Sequence, residues 1–205
     1  MKFRIAKILD AKKIAEIHMI CANHQKDGFM HKLGIKFLIQ YYKIFINENN
    51  SIIVVAENEG VVCGFHSGTA LEEEHQTSIK RNKLKLSITV WQKLLINPKV
   101  AIDIYRRYKS LSTKKNKYRV SSGPRGEYWA WLPSIKNPAG SMALRKTWTN
   151  VLYDLGCKSF KFEVDLSNSD VEKYAKAFSC EVLEVHILPD GRKRAILEQV
   201  FKKKK

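Results

Sequence analysis

The chain has 205 residues, 44% hydrophobic and 28% charged, a size at which about 70% of the unfolded surface can be buried without disulfide staples. This composition excludes a disordered polymer, and the longest clean apolar run, Ile52 to Ala56, is too short to cross a bilayer. The formal charge of +17 is uneven: residues 76–125 hold fourteen Lys or Arg against one acid, Asp103, residues 202–205 are four lysines, and the rest is balanced.

Residues 2–8 alternate and predict a first strand. Ile14, Ile17, His18 and Cys21 then recur at three and four, predicting a helix capped by Asp10. Leu33, Phe37, Leu38, Tyr41 and Phe45 mark a second helix, ended by Asn47 to Asn50. Strands 51–57 and 61–69 follow, joined by the turn Asn58-Glu59-Gly60. Within the basic segment two helices are expected, 84–96 and 98–111, with Trp91, Tyr105 and Tyr108 spaced as core contacts, and a loop over 112–124. Order resumes with a strand over 126–133. A helix opening at Pro138 to Ser141 turns Leu144, Trp148, Val151, Leu152 and Leu155 inward and closes at Gly156. Phe160, Phe162 and Val164 alternate in a strand, Asn168 or Ser169 caps a further helix, and a hairpin over 181–188 and 192–200 turns at Pro189-Asp190-Gly191. The expectation is one domain over 1–205, a mixed α/β sheet covered by helices, with a basic excursion at 76–125 and a basic tail at 202–205.

Charges at Lys2, Arg4 and Lys7 stand where a secretory leader needs its apolar stretch, so a cytoplasmic location is expected. Cys21, Cys63, Cys157 and Cys180 form no CxxC pair, and three of them lie in apolar patterns that predict buried thiols. The six histidines have no ligand spacing, so no metal is expected. The basic segment lacks interleaved base-stacking aromatics, which ranks an anionic small ligand or an anionic membrane surface above nucleic acid.

A strand feeding a small-residue turn at the start of the Ser141 helix offers backbone N–H groups and a positive helix end to an anion. Trp131-Leu132-Pro133-Ser134-Ile135-Lys136-Asn137-Pro138-Ala139-Gly140-Ser141 resembles the pyrophosphate-binding motif of the GNAT superfamily of acyl-CoA-dependent N-acyltransferases, V-x-P-x-x-[RQ]-x-x-G-x-[GA]. Pro133 matches, Lys136 stands at the basic position, and Ala139 and Ser141 replace the two glycines. Arg4-Ile5-Ala6 with Asp10 and Ile14 to His18 is similar to that family's first strand and helix, Val61 to Phe65 to its third strand, and Val164 with Asn168 to a later one. The helical insert is similar to that of a bacterial subgroup linked to sugar and surface-polysaccharide modification. The family's Y-x-x-x-G-F falls, without a gap, on Ala175, Ser179 and Cys180, one residue past Tyr174.

The resemblance implies a mixed, mostly antiparallel sheet with a helical insertion between the third and fourth strands, and acetyl-CoA as co-substrate. It implies transfer of the acyl group to a primary amine of a small molecule, an amino sugar or a nucleotide-linked one. The cofactor side would be Trp131, Leu132, Lys136, Asn137, Ala139, Gly140, Ser141, Met142 and Asn168. Glu127 would be the base and Tyr174 the acid that protonates the leaving thiolate. The acceptor would lie near Gly28, Phe29, His66, Glu72 and Trp129. The competing reading is a GNAT-like scaffold without catalysis, binding a membrane, nucleic acid or protein through its basic insert. The oligomeric state is open.

Overall fold

The structure, a computed structural model, describes residues 1–24, 29–96, 101–102, 122–167, 174–175, 177–188 and 191–201. Strands β1 (Lys2–Ile5), β2 (Ser51–Asn58), β3 (Val61–Thr69), β4 (Arg125–Trp131), β5 (Ser159–Asp165), β6 (Glu181–Ile187) and β7 (Lys193–Val200) form a sheet in the order β1-β2-β3-β4-β5-β7-β6. Every neighbouring pair is antiparallel except β4 with β5. The helices are α1 (Ala11–His24), α2 (Phe29–Lys32), α3 (Ile35–Ile46), α4 (Glu72–Arg81), α5 (Lys83–Ile96) and α6 (Pro138–Asp154). None among the described residues is long and apolar enough to cross a membrane.

Helices cover both faces of the sheet, which explains the unbroken apolar run of β2. Ile53 and Val55 pack with Ile14, Ile17, Leu38, Tyr42 and Phe45 of α1 and α3, while Ile52, Val54 and Ala56 pack with Leu144, Trp148 and Leu152 of α6. Trp148 is fully buried, and its indole N–H donates to the Ile52 carbonyl oxygen at 2.8 Å. It lies so close under β3 that a Cβ on Gly68 would come within 2.3 Å of its ring and 2.4 Å of the Arg125 carbonyl oxygen. Glycine is the one residue that fits there.

Several expectations are corrected. β1 stops at Ile5, because the Asp10 carboxylate accepts the Lys7 N–H at 2.6 Å and pairs with Arg4, pulling residues 8–10 into a 3₁₀ turn. Asp10 thus reaches back to that turn rather than capping α1. The second helix begins at Ile35 rather than Leu33, because Gly34, with φ +93°, separates it from a short additional helix, α2. The excursion opens with α4, a helix absent from the expected elements, although Glu72, Glu73 and Glu74 at its start and Lys80 and Arg81 at its end suit a helix dipole. Trp91 and Leu155 are exposed, not core. Cys21 and Cys63 are buried, but Cys157 and Cys180 only half so. The expected helix over 98–111, with Tyr105 and Tyr108, and most of the 112–124 loop lie outside the described residues, as does the basic tail.

Both ends of the excursion meet. The Glu72 N–H donates to the Gly123 carbonyl oxygen at 3.0 Å, and the Gly123 N–H to the Glu73 carboxylate at 3.2 Å. The chain therefore returns to β4 beside the point where it left β3.

Candidate active site

β4 and β5 are paired at two positions only, Arg125 with Lys161 and Gly126 with Phe162, although both strands continue. Beyond that vertex the sheet is open. A bulge in the β3–β4 ladder sits at the same level: Ser67 pairs with Tyr128 and Gly68 with Gly126, which leaves Glu127 as the extra residue. The Leu132 N–H donates to Cys63 at 2.9 Å. By the two-residue alternation of an antiparallel ladder, the Trp129 and Trp131 peptide groups then face away from β3, into the opening.

One side of the opening is polar and buried under α3 and α4. Glu127 forms an ion pair with Arg125 at 3.3 Å, and Arg125 also reaches Glu163 of β5 at 3.3 Å. Glu163 accepts from His186 at 3.0 Å and Arg194 at 3.1 Å as well. The Glu72 carboxyl is buried beside them. Gln76 donates to its Oε1 at 2.7 Å, and its Oε2 has no hydrogen-bond partner among the described residues. Burial and then the Glu127 charge push Glu72 up to about 7, against the lowering by Arg125 and Gln76. Burial works against a charge on His75, yet its 2.7 Å bond to Glu48, with Glu127 and Glu72 nearby, raises it above the ordinary histidine value. Tyr41 lies 3.3 Å from the other His75 nitrogen, and burial raises its hydroxyl pKa. Tyr128 stacks on His18 at 3.9 Å and keeps a buried hydroxyl without a partner among the described residues.

The other side is aromatic and lies under α6. Trp129 and Trp131 pack in the Trp148 cluster, and the Trp129 indole N–H is buried without a partner among the described residues. The Tyr174 ring bridges the opening, 6.1 Å from Trp129 of β4 and 5.7 Å from Phe162 of β5 between centroids. Arg145 of α6, which the sequence reading passed over, is buried with its guanidinium 4.4 Å from the Tyr174 ring centre and 4.3 Å from that of Phe178. Burial lowers its pKa to about 10. Gln199 accepts from it, and no carboxylate is among its hydrogen-bond partners in the described residues.

At the end of β4 the loop enters α6 through Asn137, whose side chain accepts the Gly140 N–H at 2.8 Å. The Ser141 N–H turns back to the Asn137 carbonyl oxygen and Pro138 has none, so Ala139 presents the remaining N–H of this turn, with exposed Lys136 nearby. Leu132 is half-buried between the two core clusters, and Met142 is exposed on the first turn. A 280 Å³ hollow at the far end of α6, lined by Thr149, Tyr153, Phe178 and Phe201, stands apart from this loop.

The predicted site residues divide between the two sides. Glu127 and Glu72 share the α3–α4 side, whereas Trp129 and Tyr174 share the α6 side. His66 does not join Glu72: it is buried 4.1 Å from the Trp148 ring, and burial followed by Arg145 holds it well below the usual histidine value, hence neutral. Phe29 begins α2. Gly28 and Asn168 lie outside the described residues. Ser179, at the family's glycine position, has φ +51°, and the Cys180 N–H closes the helix end onto Ala175 at 2.9 Å.

Sequence comparison finds no matching family model and no matching curated protein. Solved structures do match. An N-acetyltransferase from Staphylococcus aureus Mu50 is 15% identical, covers 98% of each chain and has a TM-score of 0.61. A GNAT-family acetyltransferase from Bacillus cereus ATCC 10987 is 12% identical over 98% of each chain, with a TM-score of 0.55. The structure of yncA from Salmonella typhimurium, with its cofactor acetyl-CoA, is 11% identical, covers 100% of this chain and 96% of that one, and scores 0.60. At such identities the likeness speaks for the architecture, and the chain has the fold of the GNAT acetyltransferases.

Proposed function

We propose that the chain is an N-acyltransferase that takes an acetyl group from acetyl-CoA and delivers it to a primary amine. The observation that carries this reading is the opening past Gly126 and Phe162, with Glu127 at its vertex and the Trp129 and Trp131 peptide groups facing into it. The residues present fit the co-substrate: Lys136 and the Ala139 N–H suit the pyrophosphate, and the strand edge suits an extended amide-bearing arm. Acetyl-CoA, when bound, supplies a thioester whose carbonyl is open to attack.

The chain's own part is positioning and proton handling. A peptide N–H of Trp129 or Trp131 would donate to the thioester oxygen as it gains charge. Holding amine and thioester in line across the opening supplies much of the rate. Glu127 is the exposed carboxylate nearest the vertex and would take the ammonium proton. Tyr174 would return a proton to the leaving sulfur from the aromatic side. On the polar side Glu127 and Glu72 suit a cationic acceptor, Glu163 being already bonded to Arg125, Arg194 and His186. An amino sugar or nucleotide-linked amino sugar rests on the similarity of the helical insert alone.

Asn137 already holds the Gly140 N–H, and this favours a second reading in which the scaffold binds without catalysis. Calorimetric titration with acetyl-CoA separates the two. Saturable micromolar binding followed by turnover of a panel of primary amines supports transfer; no heat and no thermal shift leaves the binding protein.

A further inference from the structure

α5 is apolar on two sides. Leu86 joins the main core, and Val90 packs on Leu33 with Phe37 and Leu94 against it. Leu84, Ile88 and Trp91, four and three residues apart on the opposite side, are 70%, 65% and 63% exposed. With Lys36, Ser87 and Thr89 they line a groove of about 590 Å³. Isolated exposed apolar side chains are ordinary, but a continuous stripe of them marks an interaction surface.

The stretch of chain that carries the stripe has one sign of charge. Residues 76–96 hold five Lys or Arg and no acid. Lys80 and Arg81 end α4, and Lys83 and Lys85 open α5, so the charge is concentrated where the stripe begins. Apolar side chains flanked by cations are the two signals that reversible adsorption to anionic lipid requires. Trp91 adds a ring suited to the headgroup level.

We propose that this face of α5 seats the protein on an anionic lipid bilayer, with Leu84, Ile88 and Trp91 at the acyl boundary and Lys80, Arg81, Lys83 and Lys85 on the lipid phosphates. A second copy of the chain fits less well, because a symmetric contact would bring two sets of these cations together. Nucleic acid fits less well because two of the three stripe residues are aliphatic and offer no ring to stack on bases. The proposal does not rest on acyl transfer.

The test is flotation of the full chain with vesicles of phosphatidylcholine alone, and with about one third phosphatidylglycerol, at about 0.1 M salt. Binding to the anionic vesicles, with a blue shift of Trp91 fluorescence that Trp91→Phe removes, is expected. Leu84→Ser with Ile88→Ser should weaken partitioning about tenfold or more at unchanged thermal stability. Lys80→Glu with Lys83→Glu should do the same through charge. Vesicle binding that survives the serine pair would reduce the contact to plain charge adsorption and overturn the proposal. So would absence of vesicle binding, whether the chain stays monomeric or forms a dimer that the serine pair dissociates.

Discussion

The Glu72 amide donates to the Gly123 carbonyl oxygen at 3.0 Å, so the basic excursion leaves and rejoins the sheet at a single junction. This contact explains why a carboxyl from the first turn of α4 stands beside Arg125 and Glu127 at the start of β4. The electrostatics of the candidate site follow from that closure.

Glu72 titrates near 7 in the folded chain, against about 4.5 for an ordinary glutamate. Between those values the native state holds a proton that the unfolded state has released. The contribution of this site to stability is therefore full below about pH 4.5 and lost as pH rises through about 7, on the order of 3 kcal/mol in all. Glu72→Gln should remove this slope and stabilise the protein at neutral pH. Urea unfolding of both proteins from about pH 5 to about pH 8 measures it; a slope that persists in the variant assigns the pH dependence elsewhere.

Glu127→Gln should lower turnover by about a hundredfold or more near neutral pH and leave acetyl-CoA affinity unchanged. Steady-state rates against pH, with binding measured in parallel, distinguish the two effects. Full activity in this variant combined with loss in Glu72→Gln would move the proton acceptor to Glu72.

Tyr174→Phe keeps the ring over Arg145 and deletes only the hydroxyl. Turnover should fall about tenfold or more with the melting temperature held. A rate equal to wild type means the residue serves packing alone.

Lys136→Glu should weaken acetyl-CoA binding about tenfold, an effect that shrinks with added salt. Asn137→Gly costs only a few tenths of a kcal/mol as a cap. It releases the Gly140 N–H, and affinity should rise about two- to threefold. Calorimetry reads both, and unchanged affinity in Lys136→Glu would remove this loop from the site.

Gly68→Ala should destabilise by about 2–4 kcal/mol, since its Cβ would press on the Trp148 ring and on backbone that cannot yield. A Trp148→Phe background should relieve part of the loss, and chemical denaturation of the four proteins of that cycle gives the coupling.

Much was legible in the sequence because it is local. The Ile52 to Ala56 run, the Asn58 to Gly60 turn, the Pro138 opening of α6 and its end at Gly156, with φ +83°, each follow from a few neighbouring residues. Trp129 and Trp131 share the α6 face of β4, as strand alternation over two residues expects. The resemblance to the GNAT pattern added the sheet's mixed architecture, which the seven strands bear out.

What only tertiary structure decided was pairing between distant segments. β7 takes the place beside β5 and leaves β6 at the edge, since Ala195, Ile196 and Leu197 are buried on the inner strand while Val182, Val185 and Ile187 stay exposed. His66 is separated from Glu72 because it shares with Gly68 the face of β3 that meets Trp148, whereas Glu72 lies past the strand end, on α4. The Arg145 stack on Tyr174 and Phe178 joins residues about thirty apart whose types are individually ordinary. Sequence determined the elements, because propensity and periodicity act over a few residues. The fold decided the site, because burial and charge coupling act across whatever the sheet brings together.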